Sequence, residues 1–374
     1  MTLRVLIVDD MATYRSIISR SLSQISNVEV VGKVSNGKKA LEFLDNNPVD
    51  LITLDVEMPI MDGLATLKEL RKRRDSADVV MLSGLSDQAA SLTIKCLELG
   101  AIDFVLKPQT ASFVENQNQL VERLTEITST LDRKRKFSRR PTPRTTTKVV
   151  SKPTIKQTAA PVARSSSASR LTLSRPRIVL IGISTGGPKA LAEVFEQLKG
   201  PLPFPILIVQ HMPPKFTASL AENLNRKSNI EVVEASDGDV VQNNTAYIAP
   251  GGFHLYLLKE EDFGTVLATN TDPPVNSCRP AVDVLFQSAA GHYKSGEVLA
   301  IIMTGMGKDG ADGCVALKKM GGYVVTQSEE SCTIYGMPKS VEDLGIQDEV
   351  IDLKDIAPFI MRAAKAPAVA LRRT

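Results

Sequence analysis

The sequence predicts an α/β protein built from two doubly wound parallel-sheet domains, a flavodoxin-like one and then a Rossmann-like one, joined by a disordered linker. Three observations carry this reading. Apolar strand-like runs alternate with helical patterns in both halves of the chain, the signature of parallel sheets with helical crossovers. With 374 residues, the chain is too long for one core at about 150 residues per domain. Between the halves, residues 133–177 hold fourteen Lys and Arg, no Asp or Glu and much Ser, Thr and Pro, without periodicity. Such a segment cannot bury enough apolar surface to offset its ordering entropy. The expected division is therefore 1–132, 133–177 and 178–374.

In order, the first unit reads RVLIVDD and a helix from about Met11, then VEVVGKV with GKKALEFLDNN, then LITLDVEM with GLATLKELRKRR. DVVMLSG follows with a helix through Cys96, and IDFVLKP with a last helix. In the second unit RIVLIGIS precedes the helical KALAEVFEQL, and FPILIVQH and VLAIIMTGMGKDG are further strands leading into loops.

Composition narrows the class. With 43% hydrophobic and 23% charged residues, collagen-like and wholly disordered chains are excluded. The net charge of +3 hides an asymmetry, because outside the basic segment 31 Lys and Arg face 42 Asp and Glu. Fourteen cations could neutralise phosphates, but without interleaved aromatics no nucleic-acid partner is expected. No run reaches 18 apolar residues and the first apolar stretch, from Leu3, is too short for a signal peptide, so a cytoplasmic protein without membrane insertion is expected. Cys96, Cys278, Cys314 and Cys332 fit neither a disulfide framework nor a zinc knuckle and read as reduced thiols.

In doubly wound sheets ligands meet the carboxyl ends of the strands. The first unit places there Asp9 and Asp10, Asp55, Ser83, and Lys107 followed by Pro108. Clustered carboxylates need a hard cation, and oxygen ligands suit Mg²⁺. Asp55 can then attack a phosphoryl group while the metal and Lys107 balance charge on the transferring oxygens. These residues resemble the response-regulator receiver domain over residues 1 to about 125. The resemblance implies Asp55 as phospho-acceptor from a histidine kinase, Asp9, Asp10 and Asp55 as Mg²⁺ ligands, and Ser83 and Lys107 as phosphoryl contacts. It also puts Phe104 at the place of a strand-five aromatic switch, against the plainer reading of Phe104 as core.

In the second unit Ser184, His211 and Asp309 follow three strands, supplying the nucleophile, general base and orienting carboxylate of a hydrolytic triad. Gly182-Ile183-Ser184-Thr185-Gly186 fits G-x-S-x-G, which can equally cradle a phosphate, and the helix start beyond it could supply oxyanion donors. His254, after a turn, and His292, after a helical stretch, read as structural or surface residues. Arg279 reads either as a substrate or receptor contact or as a surface charge. Together IGISTGGP, VQHMPP, AYIAPGGFHL, PPVNSCRPAVD and MTGMGKDG resemble the catalytic domain of the chemotaxis protein-glutamate methylesterase (CheB) family over roughly 178–365. That resemblance implies Ser184 as nucleophile, His211 as base and Asp309 as orienter, with backbone N–H groups of Thr185 and Met306 forming the oxyanion hole and no cofactor in this half. The implied substrates are glutamate methyl esters, and also glutamines, of methylated chemoreceptors. It further implies that the receiver covers the catalytic cleft until phosphorylated. The alternative is a regulator whose second unit only binds a nucleotide or nucleic acid; Ser184→Ala separates the two.

Overall fold

The structure, a computed structural model, describes residues 2–107, 113–138, 175–262 and 264–367. In the first unit strands β1 (Leu3–Val8), β2 (Val28–Val34), β3 (Leu51–Asp55), β4 (Asp78–Ser83) and β5 (Asp103–Leu106) alternate with helices α1 (Ala12–Leu22), α2 (Gly37–Leu44), α3 (Gly63–Lys72), α4 (Asp87–Glu98) and α5 (Phe113–Ser138). The strands pair in parallel in the order β2-β1-β3-β4-β5. Helices cover both faces, so β3 is buried at every position, as its continuous apolar run requires. Asn36, Asp62 and Ser86 each accept a bond from the backbone N–H three residues on, and these caps fix where α2, α3 and α4 begin. Helix α5 runs six residues beyond the expected boundary at 132. Its extension, RKRKFS, is basic but rich in good helix formers, so the change in charge does not mark the end of the helix. Of the segment 133–177 expected to be disordered, residues 133–138 are helical and residues 139–174 lie outside the described residues.

The second unit contains β6 (Ile178–Ile183), α6 (Gly187–Gln197), β7 (Ile206–Gln210), α7 (Phe216–Asn225), β8 (Glu231–Glu234), β9 (Thr245–Ile248), β10 (His254–Glu260) and β11 (Gly264–Asn270). It continues with α8 (Val282–His292), β12 (Val298–Ile302), α9 (Ala311–Lys319), β13 (Tyr323–Gln327), α10 (Met337–Glu342), β14 (Glu349–Ile351) and α11 (Leu353–Lys365). Seven strands form a parallel sheet, β14-β13-β12-β6-β7-β9-β8, while β10 and β11 make a separate antiparallel hairpin. The chain runs outward from β6 through β7 and from β12 through β13, so the switch point lies between β6 and β12. Crevices open at the carboxyl ends of strands at such a point, and Ser184 and the Asp309 loop are located there. This unit starts slightly before residue 178, since Arg175 N–H donates to Pro367 O at 2.8 Å and Arg177 N–H to Glu297 O at 2.7 Å.

The two units share one buried apolar cluster, to which α4, β5, α6 and α7 all contribute. Phe104 is therefore neither simple receiver core nor free: its ring stacks on Phe216 of α7, centroids 4.5 Å apart and planes 11° off parallel. Ion pairs flank the stack, Lys227 to Glu98 at 2.9 Å and Lys215 to Asp87 at 3.1 Å. No helix among the described residues is long and apolar enough to cross a membrane.

Candidate active site

Asp309 is the most constrained side chain at the switch point. Its Oδ2 accepts from Val282 N–H at 2.6 Å and its Oδ1 from Asp283 N–H at 3.1 Å, so the carboxylate caps the N-terminus of α8, where peptide dipoles favour an anion. Gly310 N–H and Asn276 Nδ2 donate to Oδ1 as well, at 3.1 and 3.0 Å. Burial alone would raise the Asp309 pKa; the bond to His211, its charge and the backbone amides of Val282 and Asp283 hold it below the usual carboxylate value.

His211 follows β7, and its Nε2 lies 2.7 Å from Asp309 Oδ2. Burial opposes the imidazolium, but Asp309 and the neighbouring Cys278 outweigh it and push the His211 pKa up to about 9. The other ring nitrogen, Nδ1, faces Cys278 Sγ at 3.5 Å. Ser184 is 8% exposed, and its hydroxyl bonds to no described residue, His211 included. The structure thus joins His211 to Asp309 and leaves Ser184 at the same sheet edge with its hydroxyl free.

Around Ser184 the backbone is tightly fitted. Gly186 has φ +80°, and a Cβ there would meet Thr333 Oγ1 at 2.4 Å, so this turn requires glycine. A Cβ on Gly305 would stand 2.9 Å from Ser184 Cβ, which brings the Gly305-Met306 peptide against the serine. The N–H groups of Thr185 and Met306 donate to no acceptor among the described residues.

Sequence reasoning missed Cys278 and Asn276. Val275 and Cys278 exchange backbone bonds at 2.9 and 3.1 Å, and Asn276 and Ser277 between them have φ of 51° and 63°, a two-residue turn of the primed kind. Asn-Ser is a weaker signal for that turn than Asn-Gly, which is why the motif did not reveal that it carries a thiol to the histidine. Arg279 donates to Thr271 O and Asp272 O at 2.8 and 3.1 Å, holding the neighbouring loop. His254 accepts from Ala281 N–H at 3.3 Å and lies 3.2 Å from Pro273 O, a structural strap. His292 contacts Thr265 Oγ1 at 2.9 Å, also away from the site.

In the first unit Asp9, Asp10 and Asp55 bring one carboxylate oxygen each within 4.8 Å of the others. Lys107 Nζ lies 2.6 Å from Asp55 Oδ2 and 2.8 Å from Asp9 Oδ2. Burial raises the Asp55 pKa to about 6, with Lys107 opposing and Asp9 adding to the rise. Ser83 does not touch Asp55; its hydroxyl donates to Gly84 O at 3.1 Å and accepts from Thr93 at 2.8 Å. Pro108 lies outside the described residues.

Comparison with known proteins decides the family. Residues 179–360 match the family described as CheB methylesterase, and residues 5–119 match the response regulator receiver domain. A protein-glutamate methylesterase/protein-glutamine glutaminase of Desulfotalea psychrophila is 45% identical over 97% of this chain and 99% of its own. The chain belongs to the CheB methylesterase family. A Bacillus subtilis protein of the same name is 38% identical over 98% of this chain and 100% of its own. The crystal structure of the Thermotoga maritima CheB methylesterase catalytic domain, 43% identical, aligns with a TM-score of 0.48 over 50% of this chain and 98% of that one.

This CheB methylesterase carries its receiver directly against the Ser184 turn. Thr185 Oγ1, one residue after Ser184, donates to receiver Asp103 Oδ2 at 2.8 Å in a buried bond. Asp103 is also paired with Arg123 at 3.0 Å and accepts from Phe104 N–H at 2.8 Å. Glu98 of α4 accepts from Asn223 of α7. The first residue of receiver strand β5 is therefore hydrogen-bonded to the serine turn.

Proposed function

We propose that this receiver-regulated protein-glutamate methylesterase and glutaminase acts on methylated chemoreceptors through Ser184, His211 and Asp309. The carrying observation is the Asp309 carboxylate, fixed at the start of α8 and 2.7 Å from His211, beside a serine flanked by two undonated N–H groups. Ser184 Oγ attacks the ester carbonyl as His211 takes its proton through the nitrogen facing away from Asp309. The N–H groups of Thr185 and Met306 receive the oxyanion. As the C–O bond breaks, His211 returns the proton and methanol leaves. Water, deprotonated by His211, then attacks the acyl-serine and releases the glutamate carboxylate and the free serine. A glutamine follows the same steps with ammonia leaving. Methanol release from methylated receptor membranes, with and without phosphodonor, tests this function.

A base must be neutral before it can accept a proton, and the His211 pKa is raised to about 9. In metal-free buffer, kcat/KM of the full chain is expected to rise with pH through neutrality and level off only above about 9. Levelling near 6.5, the ordinary imidazole value, would contradict His211 as base in this environment.

The receiver site fits a divalent cation. Asp9 Oδ2 is buried without hydrogen-bond geometry to any partner, although Lys107 Nζ is close, and the donors are all carboxylate oxygens, which suit Mg²⁺. Asp9, Asp10 and Asp55 would hold it, and when bound it neutralises charge on the transferring phosphoryl oxygens. Asp55 accepts the phosphoryl group from a histidine kinase, Lys107 pairs with it, and Ser83 reaches it only by leaving Gly84 O. Intact-mass measurement with a phosphodonor is expected to show one added phosphoryl group, absent in Asp55→Ala and reduced in Asp10→Ala. An Asp55→Ala protein that still gains the mass would refute the assignment.

A further inference from the structure

The catalytic base faces a thiol that the hydrolytic reaction does not use. Cys278 Sγ lies 3.5 Å from His211 Nδ1, and Cys278, His211 and Asp309 bring their donor atoms within 4.8 Å of one another. We propose that His211 Nδ1 and Cys278 Sγ form an inhibitory Zn²⁺ site that shuts off the esterase by occupying its base.

Geometry and chemistry agree on the ion. Zinc binds thiolate sulfur at about 2.3 Å and imidazole nitrogen at about 2.0–2.1 Å in tetrahedral sites, which places the two donors ~3.5 Å apart. The observed separation of 3.5 Å already has that value. The other ring nitrogen is bonded to Asp309 at 2.7 Å, the carboxylate–histidine–metal arrangement in which an outer carboxylate orients the ligand. A thiolate and an imidazole select a borderline-soft ion such as Zn²⁺ over Mg²⁺.

The thiol is also held in place. Its turn is pinned by Asn276, whose Nδ2 donates to Asp309 Oδ1 at 3.0 Å and Asp283 Oδ2 at 2.8 Å. Cys278 is partly exposed, leaving an approach for the ion. The nearby receiver cation Arg123 is already paired with Asp103 and Glu126, so it does not present an unbalanced charge. Binding replaces by Zn²⁺ the protons that the thiol and His211 Nδ1 carry and releases them to solvent; no electron is transferred. The bound ion holds the lone pair with which His211 would take the serine proton.

The inhibition rests on the reading of His211 as base, whereas the binding does not, and the test separates them. Chelator-stripped full-length protein titrated with Co²⁺ is expected to develop a thiolate-to-cobalt charge-transfer band that added Zn²⁺ abolishes. The band should vanish in Cys278→Ser and persist in Cys332→Ser and in Asp10→Ala, which removes a receiver carboxylate. Loss of even an outer partner costs ~10–100-fold in metal affinity, so the half-inhibitory Zn²⁺ concentration in Cys278→Ser, against that variant's own metal-free rate, should rise at least ~10-fold. No band, a band surviving Cys278→Ser, or unchanged zinc sensitivity would overturn the proposal. If Ser184→Ala hydrolyses normally, the triad reading fails while the cobalt band still decides the metal site.

Discussion

Ser184→Ala is expected to lower methyl-ester hydrolysis at least ~10³-fold, since removing the nucleophile of a triad leaves only binding and the oxyanion donors. The loss is chemical, because the Ser184 hydroxyl bonds to no described residue and its removal orphans no buried partner. His211→Ala should be about as severe, and the double variant scarcely worse, because the groups act as a unit. Asp309→Asn should cost less than Ser184→Ala, since the carboxylate orients the base without forming a bond to substrate. Cys278 makes this experiment necessary, as its sulfur and not Ser184 Oγ lies within reach of the His211 nitrogen opposite Asp309. Turnover lost in Cys278→Ala and kept in Ser184→Ala would transfer the nucleophile role to the thiol.

Some of this arrangement was legible in the sequence. A strand end exposes its last side chain at the sheet edge whatever the neighbouring strands do, so Asp9, Asp55, Ser184 and His211 could be placed from local pattern alone. Asp309 was legible because its glycine-bearing loop follows an apolar strand. What stayed hidden depends on contacts between distant segments. Cys278 reaches His211 only because a two-residue turn with positive φ aims it there. Asp103 meets Thr185 only because one domain lies on the other. Phe104 illustrates the limit, since an apolar residue within a strand reads as core whether its partner lies in its own domain or, as here, on α7.

That contact sets the second large effect. If the receiver restrains the serine turn, Phe104→Ala in the full chain should raise the unphosphorylated rate ~10-fold, because each 1.4 kcal/mol removed from closure increases the open fraction tenfold. A stacked aromatic pair contributes about 0.5–1.5 kcal/mol beyond the area it buries, so this loss is within its reach. The phosphorylated rate should change little, the cover then being already displaced. Moving a cover from 99% closed to 99% open needs about 5.5 kcal/mol, more than the ring supplies, so Phe104→Ala should remain below the rate of the isolated catalytic half. The tether acts more weakly than the interface. Doubling the length of the segment between Ser138 and Arg175 with flexible residues lowers the effective concentration as roughly the −3/2 power, only ~3-fold, and the basal rate should rise by no more than that. Lengthening the tether should thus matter less than removing one ring. If the isolated half and the unphosphorylated full chain hydrolyse receptor esters equally fast, the Asp103–Thr185 and Phe104–Phe216 contacts do not restrain the site, and phosphorylation acts instead by delivering the esterase to its receptors.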